Sequence, residues 1–159
     1  MNNALFGVSM ILAVAAFGDT PSRIEIAPSK AGVSDRTGDV VLIMADGTRE
    51  RLTQSEHCSD PKLGPSGLVG WTWAAENNHG SWVNSHLRVQ FGKRVVIDVQ
   101  CAKPFIEEWG FSAQGVVAKS RSLHGPATIE LFSLDDGHRV GSVDAFAHDL
   151  PSWAAPFKD

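Results

Sequence analysis

The chain has 159 residues, enough for one ordinary domain with its own core. Its formal charge of −4 supplies no basic patch for nucleic acid and no polycationic stretch for anionic lipid. With 15 Gly and 8 Pro, and with Val, Ile, Phe and Trp running through the segments between them, the composition points to strands and turns.

The first element is apolar and uncharged, Ala4 to Gly18. It is short for a membrane span and suits a signal peptide, with small residues Ala16 and Gly18 before the expected cleavage point. Its n-region carries no Lys or Arg; the competing reading is a buried hydrophobic element. On the export reading residues 1–18 are removed, 19–38 form an N-terminal extended segment, and the mature chain is periplasmic or secreted with no membrane span. Within 19–38, Arg23-Ile24-Glu25-Ile26 alternates as a strand does.

Three hairpins follow. Val40 to Thr53, His86 to Val99 and Ile129 to Val143 each place a glycine between two apolar runs. The glycines are Gly47, Gly92 and Gly137, spaced by 45 residues both times. Asp-Gly occupies the first and third turns, a strong hairpin signal. After each hairpin come a proline and an apolar anchor: Pro61 with Leu63, Pro104 with Trp109, Pro151 with Trp153. Leu68 to Trp73 and Val116 to Ser120 then read as further strands, whereas the third stretch ends at Phe157 without one.

The predicted fold class is therefore all-β: three blade-like antiparallel units over about 39–84, 85–127 and 128–159, forming a partial propeller or stacked β-sheets in one domain spanning 39–159. Three units do not close a ring. The chain is an open stack or sandwich, or a homodimer of six units, or Arg23–Ile26 supplies the strand the terminal unit lacks. Cys58 and Cys101, each three residues before a proline, fall in equivalent loops; an even pair in an exported chain favours a disulfide between them.

Asp60-Pro61-Lys62-Leu63-Gly64-Pro65-Ser66-Gly67-Leu68-Val69-Gly70-Trp71 resembles the D-P-x-W-S-P-D-G element of TolB-like β-propeller repeats. Leu63 stands for the Trp, Gly64 for the Ser and Ser66 for the Asp, and the turn is one residue short. Pro151-Ser152-Trp153 matches the start of the same element. Over roughly 39–159 the resemblance implies a propeller-type fold and a binding platform of the bacterial envelope. It carries over no catalytic residue.

Chemistry-bearing motifs are sparse. Gly110-Phe111-Ser112-Ala113-Gln114-Gly115 sets its second glycine one residue too late for a nucleophile elbow. The six histidines form no metal-binding spacing, and adjacent Glu107 and Glu108 diverge. The expectation is no cofactor, no metal and no catalytic set. Trp71 and Trp73 share a strand face and, with Asn77, Asn78, His79 and Trp82, frame a polar hairpin tip. Such aromatics suit a protein or glycan contact or fill the core. Arg121 and His124 lie in the equivalent loop of the second unit. The expected function is a non-enzymatic interaction module with a protein partner in the envelope. The runner-up is a periplasmic inhibitor or immunity-type protein that blocks an enzyme through its exposed loop.

Overall fold

A computed structural model of the chain describes residues 21–28, 37–76 and 79–158. The signal-peptide reading of 1–18, and Asn77 and Asn78, fall outside the described residues. Among the described residues no helix is long and apolar enough to cross a membrane.

The chain is all-β, in two antiparallel sheets. The strands are β1 (Pro21–Pro28), β2 (Gly38–Met44), β3 (Arg49–Arg51), β4 (Cys58–Leu63), β5 (Leu68–Glu76), β6 (Trp82–Phe91), β7 (Arg94–Gln100), β8 (Phe105–Ser112), β9 (Gly115–Arg121), β10 (Thr128–Phe132) and β11 (Arg139–Asp144). The first sheet has seven strands in the order β1-β2-β4-β5-β6-β7, with β3 also on β2. The second has four, β11-β10-β9-β8.

All three expected hairpins form, as β2–β3, β6–β7 and β10–β11. Gly47, Gly92 and Gly137 all have positive φ. The two Asp-Gly turns share a device: Asp46 Oδ1 accepts Thr48 N–H at 2.8 Å, and Asp136 Oδ1 accepts His138 N–H at 3.3 Å. A short carboxylate thus closes each turn two residues on. Gly137 has a second duty. A Cβ there would lie 2.7 Å from the carbonyl oxygen of Val96, so the bare turn packs against β7 and covers part of that sheet edge.

The sheets do not follow the unit boundaries. The second stretch gives β6 and β7 to the first sheet and β8 and β9 to the second. Arg23–Ile26 does form a strand, but β1 pairs with β2 along its length and not with the terminal hairpin. In place of a last strand, the C-terminal segment lies over the outer face of the second sheet. There Leu150, Trp153, Ala154 and Phe157 pack on Val117, Ile129 and Leu131.

The other face of the second sheet meets the first. Leu87, Val89, Ile97 and Cys101 pack on Ile106, Trp109, Val116, Ala118 and Phe132. Strand β9 is covered on both faces, which accounts for its unbroken apolar start. The closest interlock is aromatic on glycine. A Cβ on Gly70 would fall 2.7 Å from Trp109 Cη2, and one on Gly64 2.5 Å from Phe111 Cζ. Trp109 is 1% exposed, and its indole N–H donates to the Asp60 carbonyl at 3.0 Å. Lys62 reaches over the same ring, 5.1 Å from its centroid, and donates to the Trp109 carbonyl.

The expected Cys58–Cys101 disulfide is not present: both thiols are free and buried. Cys58 packs with Val40, Leu42, Val69 and Trp71 on one face of the first sheet. Cys101 packs on the opposite face, between the sheets. The backbone of the sheet separates them, which equal distance from a proline does not reveal. Burial, and then the neighbouring Glu130 carboxylate, push the Cys101 thiol up to about 12.

The Gly70 contact makes a direct prediction. Gly70→Ala forces a methyl into a rigid indole and is expected to destabilise the fold by about 1–3 kcal/mol. Trp109→Ala is expected to cost about 3–5 kcal/mol through the cavity it leaves. Urea unfolding of both variants checks this; an unchanged midpoint for Gly70→Ala contradicts the packing described.

Candidate functional site

The first sheet is divided by its own pairing. On one side β2 pairs with β1 from Gly38 to Met44. On its other side it holds β3 through Val41 to Ile43, but meets β4 only at Gly38 and Cys58. Local contacts of Thr53 and Asp39 accompany this. Thr53 Oγ1 accepts Val40 N–H at 2.9 Å, so a side chain replaces the next backbone acceptor and ends the β3 ladder. Gly38, the residue that meets Cys58, is also pressed by β1 on its other side, where a Cβ would sit 1.9 Å from the Ala27 carbonyl oxygen. Buried Asp39 fixes the turn-away: it accepts from Thr53 Oγ1 and Glu56 N–H and pairs with Arg51 at 3.2 Å.

Beyond that joint the two arms part around a cleft of about 830 Å³. Leu42, Met44 and Leu52 line it from the β2–β3 arm; Leu63, Val69 and Phe91 line it from the β4–β6 arm. Its polar lining includes Glu50, Gln90 and Lys93. A concave, mostly apolar space of this size, with a few polar groups at the rim, is the usual form of a ligand site. A smaller cavity of about 360 Å³ shares Leu52 and continues past Trp71 and Trp73 to Thr53, Ser55 and Arg88. Val69, Trp71 and Trp73 are alternate residues of β5, so one strand face floors both spaces.

The residues singled out from sequence separate into distinct places. Trp71 is 2% exposed and belongs to the core beneath the cleft, not to an open surface. Trp73 is half-buried, stacked on its cross-strand partner His86 with centroids 4.1 Å apart. Trp82, exposed on β6, stacks on His57 at 3.9 Å. His79 is exposed beside the hairpin tip. Arg121 ends β9, half-buried, with its Nε 2.6 Å from Glu107 Oε1; His124 is exposed in the loop that follows. The root of the β5–β6 hairpin touches the second sheet at that same end, where Asn84 Nδ2 donates to the Ile106 carbonyl at 3.5 Å. The two regions therefore lie at one end of the molecule, away from the β6–β7 turn that borders the larger cleft.

The apolar cleft lining was not legible as a site. Leu42, Met44, Leu52 and Leu63 read as ordinary strand and anchor residues. The available signal was the unbroken apolar run Val40–Met44, which marks a strand covered on both faces. Among the described residues, no three His, Cys, Asp or Glu side chains gather as metal ligands would. The polar face beside the cleft is a cross-strand ladder: Arg88 pairs with Asp98 at 2.5 Å, next to His86, whose Nδ1 is 2.9 Å from Ser85 Oγ. In the smaller cavity Trp73 Nε1 and Arg88 Nε are buried without hydrogen-bond partners.

Compared with known proteins, the chain matches no family model, no curated protein and no solved structure.

Burial holds the His86 imidazolium below its usual range, offset by Asp98 and reinforced by Arg88. The unfolded chain then binds more protons than the fold between the lowered value and about 6.5, so stability falls as pH drops through that window. Proton titration of the His86 ring by NMR is expected to give a midpoint below 6.5, with His86→Phe flattening the pH dependence of the melting temperature below pH 7. A midpoint above 6.5 contradicts the buried stack.

Proposed function

We propose that this protein is a non-enzymatic binding module, and that its recognition surface is the cleft between the two arms of the first sheet. The observation that carries this reading is the apolar lining of about 830 Å³ left open where β4 parts from β2. Leu42 and Val69 are buried in that lining, while Met44, Leu52 and Leu63 keep half-buried apolar surface along it. An occupant with apolar surface covers that remainder.

The setting belongs to the same proposal. An apolar leader followed by polar, Pro-containing sequence supports export, and the three hairpins at a 45-residue period support a TolB-like, blade-derived module of the bacterial envelope. The second reading, an inhibitor acting through a loop, draws support from a different place. The β5–β6 hairpin has strands of 9 and 10 residues and carries Trp82, 44% exposed, near its tip. On that reading the tip, with His79, and not the cleft, meets the partner.

Titration of the full chain with N-phenyl-1-naphthylamine, a neutral apolar dye, separates the two. The cleft reading predicts saturable binding at one site, weakened at least about tenfold by Leu52→Arg and unchanged by Trp82→Ser. Non-saturable binding, or binding indifferent to Leu52→Arg in a variant with a normal melting temperature, overturns it.

A further inference from the structure

The mouth of the cleft is built differently from its floor. Phe91, Gly92 and Lys93, from the β6–β7 turn, line its edge. Phe91 is 51% exposed and Val95 47% exposed, so the turn presents two large apolar side chains to solvent. Between them stand Lys93 and Arg94, both exposed, and no acid among the described residues pairs with either. Elsewhere on these sheets arginines are held: half-buried Arg88 by Asp98, and the exposed Arg49 and Arg23 by Glu25, Arg51 by Asp39 and Arg139 by Glu130. The turn thus concentrates free positive charge and exposed apolar surface at the entrance to an apolar groove, in a chain whose net charge is −4.

These features favour one kind of surface. Two cations draw a protein to anionic headgroups, and an aromatic beside them enters the boundary between headgroup and acyl chain. The two signals act together, since surface binding grows with buried apolar area and with attraction to anionic lipid. A hairpin turn seated this way puts the cleft mouth at the level where acyl chains begin. The groove behind it offers Leu42, Met44, Leu52, Leu63 and Val69, the lining that a hydrocarbon chain requires. Glu50, on the opposite arm, is the one acid in that lining; it faces a headgroup with the wrong sign for an anion and so leaves the β6–β7 side as the place for it.

We propose that the protein docks on an anionic phospholipid surface through the Phe91–Val95 turn and takes a single lipid acyl chain into the cleft. The inference rests on the cleft being a binding site and adds the class of its occupant and the side of entry.

The test is flotation of the full chain with vesicles of phosphatidylcholine alone and of phosphatidylcholine with about one-third phosphatidylglycerol. A phosphatidylglycerol carrying a photoreactive diazirine on its acyl chain is then crosslinked. The expected results are recruitment about tenfold stronger on the anionic vesicles and its loss at high salt. The double variant Lys93→Gln with Arg94→Gln is expected to fall to the phosphatidylcholine level. Crosslinks are expected on the peptides holding Leu42, Met44, Leu52 or Leu63, and are expected to vanish in Leu52→Arg. All variants share the apolar N-terminal stretch, so their differences report on the turn and cleft. Recruitment indifferent to phosphatidylglycerol or to the double variant overturns the proposal, as do crosslinks confined to other peptides. If the neutral dye still binds at the cleft while lipid does not, only the occupant is wrong; if neither binds, the cleft reading falls as well.

Discussion

The structure depends on one indole lying on one glycine. Trp109 of β8 reaches across to Gly70 of β5, where the absence of a side chain lets the ring come into contact with the sheet itself. That contact lies in the core that joins the two sheets. Its consequences run into the first sheet. The Trp109 N–H takes the carbonyl of Asp60, and the Trp109 carbonyl takes the ammonium of Lys62. Both acceptor and donor flank Pro61, in the bulge where β4 carries one extra residue between Ser59 and Lys62. Asp60 has φ of +46°, a conformation costly for a residue with a side chain and sustained here by the surrounding contacts. The second sheet therefore holds β4 against β5 at the stretch where β4 has left β2. The cleft is the geometric result of that choice of partner.

The buried polar groups secure the places where the chain leaves the ladders. Asp39 collects Thr53, the Glu56 amide and Arg51 at the joint of the two arms. Glu130 does the same between the sheets. Its side chain is 2% exposed; one oxygen accepts the Ala102 amide at 2.7 Å and the other pairs with Arg139 at 3.0 Å. Each carboxylate is satisfied on both oxygens, the condition under which a buried charge is tolerated. The two cysteines belong to the same pattern. Cys58 sits beside Ser55 and Thr53 at the joint, Cys101 beside Glu130 between the sheets. Their burial is explained by packing at two separate corners.

Local chemistry was legible in the sequence, and long-range pairing was not. The Asp-Gly turns, the strands on either side of them and the apolar runs at Leu68–Trp73 and Val116–Ser120 are where alternation and turn residues put them. These are determined within a few residues. Which strand lies beside which is decided by contacts such as Trp109 on Gly70, 39 residues apart, and no local pattern encodes that pair. For the same reason a regular 45-residue spacing of turns did not translate into regular sheets: β6–β7 and β8–β9 joined different partners. The aromatic pattern of β5 was read correctly as one face, yet that face carries both core and cavity wall, with Trp71 buried and Trp73 at the edge. The cleft escaped notice because a lining leucine and a core leucine look alike until their neighbours are known.

The cleft also sets the two ends of the molecule apart. At one end stand the β5–β6 hairpin, Arg121 and His124; at the other stand the β6–β7 turn and the open mouth of the groove. The central claim is that recognition belongs to the second end. Methyl-labelled NMR of the protein titrated with an apolar ligand addresses it residue by residue. Shifts are expected at Leu42, Met44, Leu52, Leu63 and Val69 that saturate together, with little change around Trp82 and His124. Shifts centred on the β5–β6 tip, or spread evenly over the methyl groups of both cores, would contradict it.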